Sequence, residues 1–256
     1  MDALNTAQYL LGAGSGLVVG FVLALAGGGG SILAVPLMLY VVRVVDPHVA
    51  IGTSALAVAA NAATNLVIHA RRGNVQWRSA SVFATSGTVG AYLGSSAGKR
   101  FDGQSLLTLF ALLMLAVAGL MIWKRQKGEL PAAQPGATAT TRLSAFGGMT
   151  GLVSGFFGIG GGFLIVPGLM ASTGMPILTA VGSSLVAVSA FGLTTAINYA
   201  HSGLVNWHLA GAFVLGGLVG GRLGASCAIR LSKSKGVLNV VFACLIIATA
   251  LYMLLR

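Results

Sequence analysis

Apolar positions run along this chain in long, nearly unbroken stretches, and the few charged residues fall between them. Five such stretches are legible in the first half, roughly at residues 6–26, 30–44, 49–70, 77–98 and 104–123. Five more follow at roughly 143–159, 162–174, 178–200, 207–229 and 236–256. A helix needs about 20 residues to cross the hydrocarbon of a bilayer, so most of these predict spanning helices. The stretches 30–44 and 162–174 are too short for that, and both follow glycine clusters, at Gly27–Gly30 and Gly158–Gly162. Long uncharged runs without strict alternation favour a helical bundle over a barrel. The fold class expected is an all-α polytopic membrane protein with glycine-broken short helices.

The two halves repeat one another. GGGGSILAVP at Gly27–Pro36 returns as GIGGGFLIVP at Gly158–Pro167, 131 residues further on. AIGTSALAV (Ala50–Val58) returns as AVGSSLVAV (Ala180–Val188) at an offset of 130, where RRGNVQW (Arg71–Trp77) is also answered by HSGLVNW (His201–Trp207) and Arg100 by Arg230. The expected domains are a first transmembrane repeat, residues 1–123, and a second, residues 143–256. Between them lies KRQKGELPAAQPGATATTR (124–142), polar, with two prolines, read as a solvent-exposed linker. Duplicated, glycine-interrupted apolar halves are the sequence-level mark of a transporter whose site lies where the repeats meet. Stripes of small residues such as Gly12, Gly16, Gly20 and Ala24, or Gly147, Gly151 and Gly155, predict close helix contacts.

Composition sharpens this picture. Hydrophobic residues make up 56% of the chain and charged ones 7%, against about a quarter charged in a soluble domain. The net charge of +11 does not imply nucleic acid, because the basic residues sit at segment ends, where they orient membrane proteins. With the linker in the cytoplasm, ten Lys and Arg fall inside and four outside, and Arg222 stays within a segment. An odd number of segments per repeat then predicts inverted-topology repeats. Residues 1–42 contain no Lys or Arg, so a signal peptide's charged start is lacking and the first segment is expected to be retained. The expected location is the inner (plasma) membrane, multi-pass, with the lipid bilayer and a small anionic substrate as partners; a homo-oligomer is compatible. Cys227 and Cys244 lie in apolar runs and predict packed thiols rather than a disulfide or metal site. No cofactor and no metal are expected.

Candidate chemistry gathers at the breaks. Glycine clusters closely followed by proline interrupt a helix, and broken backbone at membrane depth is tolerated where it is buried or lines a cavity. Helices resuming near Ser31 and Phe163 would offer unpaired N–H groups and a positive dipole end to an anion. Gly28, Gly29, Gly30 and Ser31, with Gly160, Gly161 and Gly162, are therefore candidate substrate ligands; a structural kink is the alternative. The third segments add Asn61 and Asn65, with His69 a further turn on along one helical face. Their counterparts in the other half include Thr195 and Asn198. These polar groups either form a substrate path or hydrogen-bond between helices. Thr53 and Ser54 match Ser183 and Ser184 near opposite membrane faces, as substrate ligands at two gates or as hydroxyls bonded back to their own helix. Arg222 is a cation deep in a segment, a candidate anion ligand, or else it snorkels to the inner surface. The four acids, Asp2, Asp46, Asp102 and Glu129, lie outside the segments. That leaves His69 and His201 as the candidate proton or gating groups. A dianion leaving a negative interior across 100 mV gains roughly 4.6 kcal/mol, so export could be driven by voltage alone. An intramembrane serine hydrolase using Ser154 or Ser184 with His201 is conceivable, but it would lack a catalytic acid. An anion channel is hard to separate from a carrier.

At these residues the chain resembles the sulfite exporter TauE/SafE family over about residues 10–256. The resemblance rests on the paired glycine stretches, DPHVAIGTS (Asp46–Ser54) with its echo MPILTAVGSS (Met175–Ser184), and HARRGNVQW (His69–Trp77). It implies a plasma-membrane carrier moving small sulfur-containing anions such as sulfite, sulfoacetate or related organosulfonates, and export is the direction expected; the duplicated architecture and the lack of a catalytic acid argue against an enzyme. Ile159 opposite Gly28, and Gly162 opposite Ser31, make the two breaks inequivalent.

Overall fold

The computed structural model describes residues 5–124, 137–160 and 162–231, together with 247, 249–251 and 253 of the last segment. Among the described residues all regular structure is helical, and Thr6–Leu25, Pro47–Arg71, Ile177–Ala200 and Trp207–Ala225 are long and apolar enough to cross a membrane. Most of the stretch 236–256 and most of the linker, residues 125–136, lie outside the described residues. The flanking helices reach into the linker as read from the sequence, since one ends at Lys124 and the next begins at Ala137.

In the first half α1 (Thr6–Ala26) runs into a 3-10 stretch, Gly27–Leu33, then a single turn, α2 (Ala34–Pro36), then a π-helical turn, Leu37–Val41. Each glycine disfavours α geometry by about 1 kcal/mol relative to alanine, and four in a row let the backbone wind tighter. Pro36 lacks an N–H and crowds the preceding turn, and just after it the Val42 N–H reaches back five residues to the Leu37 carbonyl at 3.0 Å. The chain turns back on itself here: Gly30 lies against Leu23, and the Gln8 side chain donates from Nε2 to the Val42 carbonyl at 3.1 Å. A short apolar helix does resume at Gly30–Val41, as expected near Ser31, but its first turns, Ser31 included, are 3-10 in form.

α3 (Pro47–Arg71) starts where the Asp46 side chain accepts the His48 N–H at 2.8 Å, with Pro47 at the first helical position. α4 (Trp77–Gly98) and α5 (Gly103–Lys124) complete the half. In the second half α6 (Ala137–Phe157) ends at Gly158, whose φ of +67° lets the Ile159 N–H close on the Ser154 carbonyl at 3.2 Å. Gly160 also has positive φ, +65°. Then follow α7 (Gly162–Thr173), α8 (Ile177–Ala200) and α9 (Trp207–Leu231). The two breaks thus differ in kind, tight winding in one half and a left-handed turn in the other.

Glycine positions fix how the helices run. Added side chains at Gly12, Gly16 and Gly20 of α1 would meet Leu209, Phe213 and Gly217 of α9 in rising order, so these two helices run parallel. Gly90, Gly94 and Gly98 of α4 meet Gly148, Leu152 and Phe156 of α6, again in parallel. α3 and α8 run opposite ways, because Gly52 lies against Tyr199 and Leu204, Gly192 against Ala55 and Ala59, and Gly182 against Asn74. Each first helix therefore packs on the fourth helix of the other half, and the equivalent helices α3 and α8 cross at the centre. Outward faces carry Leu10, Val89, Met149 and Leu215 at 63–72% exposure, a surface suited to lipid and not to water.

Candidate functional site

Gly160 marks the centre of the molecule. A Cβ there would lie 3.2 Å from Val58 of α3, 3.3 Å from Val188 of α8 and 3.8 Å from Ser31 of the first break. Val58 and Val188 are equivalent residues of the two repeats, so the second break, the first break and both central helices meet at one point. Ser31 is fully buried there. Gly30 packs against the backbone of Val22 and Leu23 and folds the first break onto the end of α1. Gly28 and Gly29 belong to the 3-10 stretch and Gly162 opens α7; Gly161 lies outside the described residues.

The hydroxyls expected to ligate substrate are used by the protein itself. Thr53 Oγ1 accepts the Asn206 N–H at 2.9 Å, and Ser183 Oγ accepts the Gln76 N–H at 2.9 Å. These are one bond made twice, since Thr53 and Ser183 are equivalent, as are Gln76 and Asn206. Each pins the loop entering a fourth helix to the central helix of the other half. Ser54 and Ser184 donate back to the carbonyls of Ile51 and Val181 in their own helices, at 3.0 and 2.7 Å. Ser54 and Ser184 thus bond back to their own helices, whereas Thr53 and Ser183 bond to loops of the opposite half.

Asn198 is likewise engaged. Its Nδ2 donates to Ser95 Oγ at 2.6 Å and Ser96 Oγ at 3.0 Å. Lys99 Nζ donates to Asn198 Oδ1 at 2.9 Å, to the Asn198 carbonyl at 3.0 Å and to Ser202 Oγ at 2.9 Å, and it stands 5.9 Å above the Tyr199 ring. Loss of water around Lys99 lowers its pKa from the ordinary lysine value. At the other end of the molecule Arg72 Nη1 donates to the Ala225 carbonyl at 3.2 Å. Lys99 and Arg72 thus tie α4 to α8 and α3 to α9 at opposite ends. Lys99, Ser95, Ser96, Gln76 and Asn206 were missed from the sequence alone, although the repeat offset would have paired the last two.

Asn61, Asn65 and His69 are different. They are 0%, 1% and 2% exposed, and among the described residues Asn61 Oδ1 and Nδ2, Asn65 Nδ2 and both His69 ring nitrogens have no hydrogen bond. The Ala24 backbone lies beside the imidazole without a hydrogen bond to it. Asn61 rests on Gly217 and Asn65 on Gly221 of α9. Thr195 Oγ1 in the other half is also buried and unpartnered. Arg222 stands apart from this group: it is exposed on α9 beside the exposed Leu223 and Val219, while Gly220, Gly221 and Gly224 face inward. His201 is exposed in the loop after α8. Among the described residues no three His, Cys, Asp or Glu side chains gather as metal ligands.

Apolar outward faces, buried backbone breaks and crossing central helices define a polytopic helical membrane protein with its polar groups turned inward. Its sequence matches the family described as Sulfite exporter TauE/SafE over residues 12–253. A Xylella fastidiosa (strain Temecula1) protein named as a probable membrane transporter protein is 55% identical over 246 residues, 95% of this chain and 94% of that one. Bacillus subtilis YunE, also named a probable membrane transporter protein, is 28% identical over 91% of this chain and 92% of its own length. A Haemophilus influenzae protein of the same name is 27% identical over 94% and 96%. No solved structure matches the chain. The chain belongs to the TauE/SafE family and is a membrane transporter; family and relatives alike point to transport rather than catalysis.

Proposed function

We propose that this protein is a secondary transporter that exports small sulfur-containing anions, sulfite or an organosulfonate such as sulfoacetate, across the inner membrane. The observation that carries the reading is the junction at Gly160, where both repeats bring a broken segment and a central helix together. Substrate moves between the halves, which lie as inverted repeats with the 124–142 linker in the cytoplasm. The antiparallel course of α3 and α8 supports that inversion.

The test is transport by purified protein in liposomes across a panel of sulfite, sulfoacetate and non-sulfur anions under an imposed voltage. Saturable efflux of a sulfur anion, with countertransport, is the expected result. Transport of none of the panel, or conductance without saturation, would overturn the reading.

A further inference from the structure

The two halves are built alike at the helix crossings, yet they fill those crossings differently. In α9, Gly217 leaves a notch that is occupied by the amide of Asn61. The equivalent notch in α4, at Gly87, is occupied by the ring of Phe191, which also stacks on Phe83 with centroids 6.3 Å apart. One turn on, Asn65 meets Gly221 in the first case, whereas the equivalent pair in the second is Thr195 and Ala91. A further turn brings His69 on one side and Tyr199 on the other. One crossing is therefore lined by two amides and an imidazole, the other by the Phe191 and Tyr199 rings with two hydroxyls, Thr195 Oγ1 and Tyr199 OH, that are also buried without a hydrogen bond.

Buried amides without partners destabilise a protein, and here five side-chain atoms of three residues are in that condition along one helical face. The comparable amide in the other half, Asn198, is satisfied by Ser95, Ser96 and Lys99. Three such side chains on one helical face, without a protein partner, are placed to take a ligand. We propose that the transported anion binds on this side only, to Asn61, Asn65 and His69, in the space opened when the α1/α9 pair draws back from α3. The inference rests on the transporter reading and names the site within it.

The chemistry fits an oxyanion. Both amides offer N–H donors, and no carboxylate lies in any of the segments. Residues four apart on a helix are separated by about 6 Å along its axis. A tetrahedral sulfonate or a pyramidal sulfite, taking hydrogen bonds of about 2.9 Å on two oxygens, spans adjacent donors. Phe191 closes the other crossing to such a ligand, so one anion path per molecule is expected.

The experiment uses Asn61→Leu, Asn65→Leu and Asn198→Leu in the purified full chain, with sulfite and sulfoacetate as probes. Without anion, Asn61→Leu should melt at or above the wild-type temperature, because an unpaired polar group has been removed. Asn198→Leu should melt lower, because a satisfied network has been broken. With anion, the stabilisation seen in wild type should be lost in Asn61→Leu and Asn65→Leu, with affinity reduced at least tenfold. A lower melting temperature for Asn61→Leu without anion would show that the amide is a structural bond and would overturn the inference. So would equal anion stabilisation of wild type and Asn61→Leu in a protein that transports, and the transporter reading would then stand. Absence of transport across the whole panel would instead remove that reading, whatever the melting order.

Discussion

Thr53 and Ser183 were legible as a matched hydroxyl pair, but what they bind depends on a loop from the other half, which no local pattern reveals. Because each receives a backbone N–H across the repeat boundary, Thr53→Val should leave the half-buried Asn206 N–H unpaired and cost about 1–3 kcal/mol. Ser183→Ala should do the same for Gln76. Thermal unfolding in detergent checks both, and an unchanged midpoint in each would show that these bonds do not hold the loops. Gly160 is the second test at this scale. Its φ of +65° costs a residue with a side chain about 1–2 kcal/mol, and Val58 and Val188 leave little room beside it. Gly160→Leu should therefore abolish transport while the protein still reaches the membrane. Normal transport by that variant would separate the break from the substrate path. Arg222 shows the limit of reading residues singly: its charge was visible in the sequence, but its outward direction depends on which face of α9 the glycines turn inward.

The small-residue stripes predicted close packing, and the seams α1/α9 and α4/α6 have it. What the stripes left open was the partner, because a glycine stripe accepts any helix that brings its own small residues. The seam is therefore formed with the opposite repeat, Gly20 against Gly217 and Gly151 against Gly87. Lipid offers no hydrophobic drive for such contacts, so backbone approach itself supplies the attraction. Gly20→Leu places a side chain into the Gly217 backbone and should strip α1 from α9. The expected result is loss of monodisperse protein on extraction, where Gly14→Leu, at a position with nothing within 4 Å, serves as the tolerated control. Equal yields for the two would show that the seam is not required for folding. The glycine clusters were legible as breaks, but their form was not. Four consecutive glycines stay wound as a 3-10 stretch, while Gly158 and Gly160, separated by Ile159, turn left-handed. Which of these a glycine run adopts is set by what packs on it.

Across the whole molecule, duplication does two separate things. It gives both ends of the molecule the same loop-to-helix bond, and it leaves the centre free to differ between halves, as Asn61 and Phe191 do. The packing of each first helix on the other half was not legible in the sequence, since its contacts join residues 58 apart, as Gly90 and Gly148, or 197 apart, as Gly12 and Leu209. α3 and α8 run opposite ways, and their ends carry the two clamped loops. Asn74 lies beside Gly182 at one end, and the loop from His201 lies beside Gly52 at the other. With Cys227 and Cys244 replaced by serine, a cysteine at Asn74 should react with a membrane-impermeant thiol reagent only from the cytoplasmic side. A cysteine at Ser202 should react only from outside. Reaction of both from one side would be incompatible with a single spanning α3, and would require the halves to lie the same way up, because these loops occupy equivalent places in the two repeats. Reaction of each from the side opposite to that expected would keep the inversion and reverse the orientation drawn from the Lys and Arg distribution.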